Sequence, residues 1–168
     1  MKKENVMRNI EIDSVVLHCS TADKEKLNKC MKLLEEIAKQ KPVITLAKKR
    51  VAAWKIRPGI PVGCKVTLRG KKAEEILRVI LEGVKELSEK QFNPGFLTFG
   101  IKEYIQIPSV SYKRELGILG FDVAVTLKRK GFRVKKRKIK RSKIGSSHRI
   151  SKEETIKFFK DKFNVSVR

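Results

Sequence analysis

Two stretches of this chain contain no acidic residue, and any fold it adopts must leave their charged groups in solvent or pair them with acids from elsewhere. Residues 39–72 carry eleven Lys and Arg, and residues 128–152 carry thirteen. The rest of the chain holds 17 bases and all 18 acids, so the formal net charge of +23 arises entirely within the two stretches. Lys and Arg are almost never buried without a partner. Repulsion on this scale destabilises a compact state unless a polyanion neutralises it, and a phosphate backbone is the usual one. A single charge run is commonly a solvated face. Two acid-free runs that hold the whole surplus point instead to a protein that binds a nucleic acid.

At 168 residues, 40% hydrophobic and 35% charged, the chain suits one globular domain over 1–168, with a basic arm at 128–152. Its longest apolar run, Ile76 to Leu81, is broken by Arg78 and falls far short of the roughly 20 residues that cross a bilayer, so no membrane partner is expected. The start, Met1-Lys2-Lys3-Glu4-Asn5, has an acid and no apolar region behind it, which argues against a leader and for the cytoplasm. Cys19, Cys30 and Cys64 form no CxxC pair, and only His18 and His148 could join them. They read as reduced thiols packed as small hydrophobes, with no metal site and no cofactor.

Hydrophobic periodicity orders the elements. Met7 to Cys19 reads as a strand. Thr21 or Asp23 can cap a helix whose Leu27, Cys30, Met31, Leu34, Ile37 and Ala38 share one face. Val43 to Trp54 reads as extended, followed by the turn Arg57-Pro58-Gly59 and a strand near Val62 to Leu68, together a long hairpin. A second helix is predicted from Lys71 to about Leu87. Beyond Asn93-Pro94-Gly95, extended segments are predicted over Leu97 to Ile107 and Phe121 to Lys128, the latter with Phe121, Val123, Val125 and Leu127 on its buried face. Arg133 to Arg149 has almost no apolar residue and reads as an arm that orders on its partner. Ser151-Lys152-Glu153-Glu154 is a capping box opening a last helix with Ile156, Phe159 and Phe163 inward. The expected architecture is an α+β domain of two layers, a mostly antiparallel sheet with helices on one face and a basic C-terminal arm.

Enzyme signatures are absent: there is no GxxxxGK[ST], GxGxxG or HExxH. The carboxylate pairs Glu35-Glu36, Glu74-Glu75 and Glu153-Glu154 all fall in predicted helices, where solubility and the helix dipole explain them. No catalytic residue is therefore assigned. The rival to a binding protein is a free RNA-modifying or RNA-processing enzyme that uses the arm to hold substrate. Trp54, the only tryptophan, stands beside Lys55 and Arg57 near the hairpin tip. It fits a ring that stacks on bases between phosphate-holding cations, and equally a core residue next to a solvated edge.

Longer motifs are more specific. Gln40-Lys41-Pro42-Val43-Ile44-Thr45-x-Ala47-Lys48 and Lys55-Ile56-Arg57-x-Gly59-x-Pro61-x-Gly63-Cys64-Lys65-Val66-Thr67-Leu68-Arg69-Gly70 closely resemble the ribosomal large-subunit protein five family, called protein eleven in eukaryotes. Phe99-Gly100-Ile101-x-Glu103, Gly117-Ile118-x-Gly120, Gly131-Phe132 and Lys143-Ile144-Gly145-x-x-His148 to Glu154 are similar to its archaeal and eukaryotic branch. The resemblance spans essentially the whole chain.

It implies a non-enzymatic constituent of the central protuberance that binds 5S rRNA, touches large-subunit rRNA and approaches the P-site tRNA. Neighbouring proteins of the protuberance and the small-subunit head are the implied protein partners. Gln40 and Thr67 match family positions that contact 5S rRNA, and Lys41, Lys65 and Arg69 beside them suit phosphate. Arg50, Trp54, Lys55 and Arg57 match the tRNA-facing loop. The arm's candidates for rRNA are Arg133, Lys135, Lys136, Arg137, Lys138, Lys140, Arg141, Lys143, His148 and Arg149. Where the family usually has an Asn and a Gly-rich turn after the first strand, this chain reads His18-Cys19-Ser20-Thr21-Ala22-Asp23, and His18 is the candidate substitute for the Asn at the 5S rRNA contact.

Overall fold

The computed structural model describes residues 5–21, 23–84 and 86–168. The leader reading, which rests on Met1 to Glu4, lies outside the described residues, as does Ala22 of the altered turn. The central strand β1 (Ile10–Ser20) is followed by helix α1 (Lys24–Ala38). Of the two caps proposed, Asp23 is the N-cap, its carboxylate accepting from Glu25 N at 3.0 Å, while the Thr21 hydroxyl accepts from Asp23 N at 3.2 Å in the turn before the helix. The α1 stripe is buried as its spacing predicts, with Leu33 added and Met31 at the margin.

Strands β2 (Val43–Leu46) and β3 (Pro61–Leu68) form the predicted hairpin. The segment leading to Trp54 is not one extended run, however. Regular pairing stops at Leu46, and a single bridge between Val51 and Ile56 closes a tip whose Ala52–Trp54 make one 3-10 turn. Helix α2 (Lys71–Gly83) is also shorter than its apolar stripe suggests. At Gly83 the helix presses on another segment so closely that a Cβ would collide with the Gln106 carbonyl oxygen. Leu87 is buried, but in strand β4 (Glu86–Leu87) rather than in the helix.

Strand β5 (Phe92–Asn93) pairs with β6 (Phe96–Ile101) around Pro94-Gly95, whose glycine takes φ 78 as the second centre of a tight turn. The strand expected to run to Ile107 ends at Ile101, and Tyr104–Gln106 form a 3-10 turn with the Tyr104 ring fully buried. Strand β7 (Phe121–Arg129) alternates as predicted. The remaining elements are the single turn α3 (Arg133–Lys136), helix α4 (Lys152–Phe163) with both halves of its capping box formed, and strand β8 (Ser166–Val167). β8 pairs in parallel with β4, tying the end of the chain to the residues after α2.

The six-stranded sheet has the order β2-β3-β1-β7-β6-β5 and is antiparallel throughout. Its inner face, with Leu17, Val66, Val125 and Leu97, shares one core with the apolar faces of α1, α2 and α4. The Phe92 and Phe159 rings meet edge to face at 5.9 Å. This is the α+β, two-layer architecture expected, and the three long helices all gather on one face of the sheet. Among the described residues no helix is long and apolar enough to cross a membrane.

Candidate nucleic-acid interface

A bulge in β1 decides what the open face displays. Ile12 pairs with Leu127 and Ser14 with Thr126, so Asp13 is the extra residue and the inward phase shifts from Ile12 to Val15, Leu17 and Cys19. Val16 and His18 consequently face outward. The register then sets side chains in rows across the strands. One row runs Val43, Lys65, His18, Asp122, Gly100; the next runs Thr67, Val16, Ala124, Thr98. His18, Lys65 and Thr67 of the candidate set are thus neighbours on the open face, with Arg69 just past the end of β3. Because β2 and β3 are antiparallel and Val43 stands opposite Lys65, Gln40 and Lys41 come level with the Thr67 end of β3. In the rows from Ser14 to Ser20 and their strand partners, Asp122 is the one carboxylate among the described residues. Sequence spacing alone could not have joined residues 18, 40 and 67.

The tip of the β2–β3 hairpin projects past the end of the sheet marked by the Ser20–Gly63 pair. Arg50, Trp54, Lys55 and Arg57 are all exposed there, and Trp54 is 71% exposed, which decides the question its composition left open: the indole is not in the core.

The arm lies at the other end of β1, and here the expectation of a segment without structure of its own needs correction. Lys136 and Lys128 both reach the buried Asp13 carboxylate, Lys128 at 3.3 Å. His148 Nε2 donates to the Lys130 carbonyl at 2.9 Å, and Arg137 Nε to the Lys140 carbonyl at 2.7 Å. Ser142 N closes onto the Val134 carbonyl at 3.2 Å. One acid that holds the acid-free arm, Asp13, comes from more than 100 residues earlier, which composition by segment conceals. Lys136 is thereby an anchor, whereas Arg133, Lys135, Lys138, Lys140, Arg141, Lys143 and Arg149 are left at the surface.

Burial alone would raise the Asp13 carboxyl, but Lys136 and Lys128 outweigh it and hold the carboxyl below its ordinary value. A depressed carboxylate stabilises the fold above its unfolded pKa of about 3.9 and loses that contribution as pH falls through the still lower folded value. The arm should therefore stay docked down to about pH 4 and release below it. Asp13→Asn removes the charge at every pH. At neutral pH we expect tryptic cleavage between residues 135 and 143 to accelerate about tenfold, the effect of losing one charge-assisted hydrogen bond; unchanged cleavage would show that Asp13 does not hold the arm.

The three cysteines are free and meet where β1, β3 and α1 join, with Cys19 opposite Cys64 and its sulfur 2.6 Å from that of Cys30. The hydrogen bond with Cys30 pulls the Cys19 thiol down, but Cys64 and burial prevail and push it up to about 11. Among the described residues no group of three or more His, Cys, Asp or Glu is arranged to hold a metal ion.

Two family descriptions match nearly end to end. Residues 5–57 match Ribosomal protein L5 and residues 61–158 match the C-terminus of the same ribosomal family, the two meeting inside the hairpin. The chain belongs to the ribosomal protein L5 family. It is 47% identical to the large ribosomal subunit protein uL5 of Nanoarchaeum equitans, over 98% of this chain and 99% of the relative. It is 42% identical to the uL5 of Sulfolobus acidocaldarius, over 99% and 95%, and 46% identical to that of Archaeoglobus fulgidus, over 92% and 88%. These relatives are ribosomal proteins, not enzymes. A member of the L5 family is a structural, rRNA-binding component of the large subunit, with rRNA and other ribosomal proteins as partners, working in translation on the cytoplasmic ribosome.

Proposed function

We propose that the open sheet face of this L5 protein binds 5S rRNA in the central protuberance, through His18, Gln40, Lys41, Lys65, Thr67 and Arg69. The observation that carries this is the cross-strand row that brings Lys65 beside His18, with Thr67 in the next row, on the face turned away from α1, α2 and α4. Small and polar side chains flank them, so a phosphate backbone can approach the sheet closely while Lys41, Lys65 and Arg69 neutralise it. The hairpin tip reaches the P-site tRNA, where the exposed Trp54 ring offers a stacking surface between Lys55 and Arg57. The arm lies against large-subunit rRNA. Neighbouring proteins of the protuberance and the small-subunit head complete the surroundings, and the chain 1–168 acts as one rRNA-binding unit.

The tip and the face are separable by experiment, because the tip stands beyond the end of the strands that carry the other set. In large subunits with Trp54, Lys55 and Arg57 all changed to Ala, P-site tRNA binding should weaken about tenfold while the free protein keeps its affinity for 5S rRNA. Gln40→Ala or Thr67→Ala should do the reverse. Equal loss of both activities in either variant would refute the division.

A further inference from the structure

A groove of about 720 Å³ lies between the arm and the strand ends of β6 and β7, and its chemistry is divided in an unusual way. Phe96, Phe132 and Ile144 supply apolar wall, Arg141 and Lys143 supply cations, Lys128 at its edge is already paired with Asp13, and none of its sixteen lining residues is acidic. Phe96 is 42% exposed although it begins a core-forming strand. A bare phosphate would satisfy the cations and leave the exposed Phe96 ring wet. An apolar partner would cover the rings and leave the cations unneutralised. The occupant that satisfies both carries a flat apolar face joined to an anion.

We propose that this groove takes a single unstacked nucleotide of rRNA, its base against Phe96 and its phosphates against Arg141 and Lys143. The volume lies within the range of about 300–1,000 Å³ typical of pockets for small ligands and is ample for one nucleotide. Base recognition in RNA uses bulged and looped nucleotides whose faces are free to stack on aromatic rings. The Asp13 anchor gives the groove its roof, since it holds Lys136 and with it the turn that carries Phe132. The proposal rests on the reading of the arm as an rRNA-binding element and goes beyond it by giving the arm a base to hold.

The test uses the full chain and three fluorescein-labelled RNA hairpins: one with a single bulged adenosine, one with an abasic residue at the bulge, and one fully paired. Binding is followed by anisotropy at physiological salt. The bulged hairpin should bind about tenfold more tightly than the other two, the worth of one stacked base. Phe96→Leu, which keeps the apolar burial but loses the ring, should remove the preference, and Lys143→Glu should weaken all three RNAs alike. If bulged and abasic hairpins bind equally while Lys143→Glu still weakens both, the arm holds RNA but the groove takes no base, and the proposal is overturned. If Lys143→Glu changes nothing, the reading of the arm fails and the proposal falls with it.

Discussion

Glu154→Ala should lower the stability of the free protein by about 3 kcal/mol, the lower end of what removing one partner of a buried ion pair costs, because the Glu154 side chain itself is half exposed. Its partner Arg129 is only 7% exposed at the end of β7, with Nη2 2.6 Å from Glu154 Oε1. Truncation leaves that guanidinium without its counter-charge, holding only the Arg149 carbonyl at 3.5 Å, while Nε has no partner among the described residues. It also removes the carboxylate that accepts from Ser151 N at 2.9 Å and so opens the capping box of α4. For a chain of this size the melting temperature should fall by about 10 °C. Glu154→Gln keeps an acceptor for Ser151 and should lose less. The pair Arg129→Met with Glu154→Gln should recover most of the loss, since an apolar side chain suits that site better than an unpaired charge. A melting temperature unchanged in Glu154→Ala would show that α4 is not locked to β7 through this contact.

Reversing two cations of the open face should abolish most of the affinity for 5S rRNA without unfolding the protein. Lys65 is exposed on β3 and Arg69 follows the strand, so Lys65→Glu with Arg69→Glu leaves the core intact. Each phosphate contact removed takes about 0.7–0.9 from the slope of log affinity against log salt. The double variant should therefore lose about 1.5 from the slope, and at low salt each lost charge-assisted bond should weaken binding by about tenfold or more. The same exchange at Lys26 and Lys29 on α1, behind the sheet, should leave the slope nearly unchanged. Equal effects of the two exchanges would mean that RNA is held by net charge rather than by this face.

The helices and the alternating strand were legible because their signals are local. Asp23, Thr21 and the Ser151 to Glu154 box each act within a few residues, and the β7 alternation maps onto one buried face without exception. Features that depend on partners far along the chain were not. Leu87 extends a helical stripe perfectly well, and only its pairing with Val167 explains why it sits in a strand. The bulge at Asp13 changes which of Val15 and Val16 points inward, and nothing in the order of those residues announces it. The candidate interface divides in the same way. Its charge and its family motifs are written in residues 39–72 and 128–152, whereas the meeting of His18 with Lys65 and the docking of the arm on Asp13 arise from strand register. Trp54 could have gone either way until the hairpin tip was seen to stand clear of the core.

The most direct test of a 5S rRNA-binding face is the affinity of the purified chain for 5S rRNA against an unrelated folded RNA of equal length, each across a salt series. Nonspecific attraction by a charge of +23 weakens steeply with salt for both RNAs. A preference for 5S rRNA that persists at physiological salt, and that disappears in Lys65→Glu with Arg69→Glu, is the expected result. Equal affinity for the two RNAs at every salt concentration, with assembly partners present as well as absent, would contradict it.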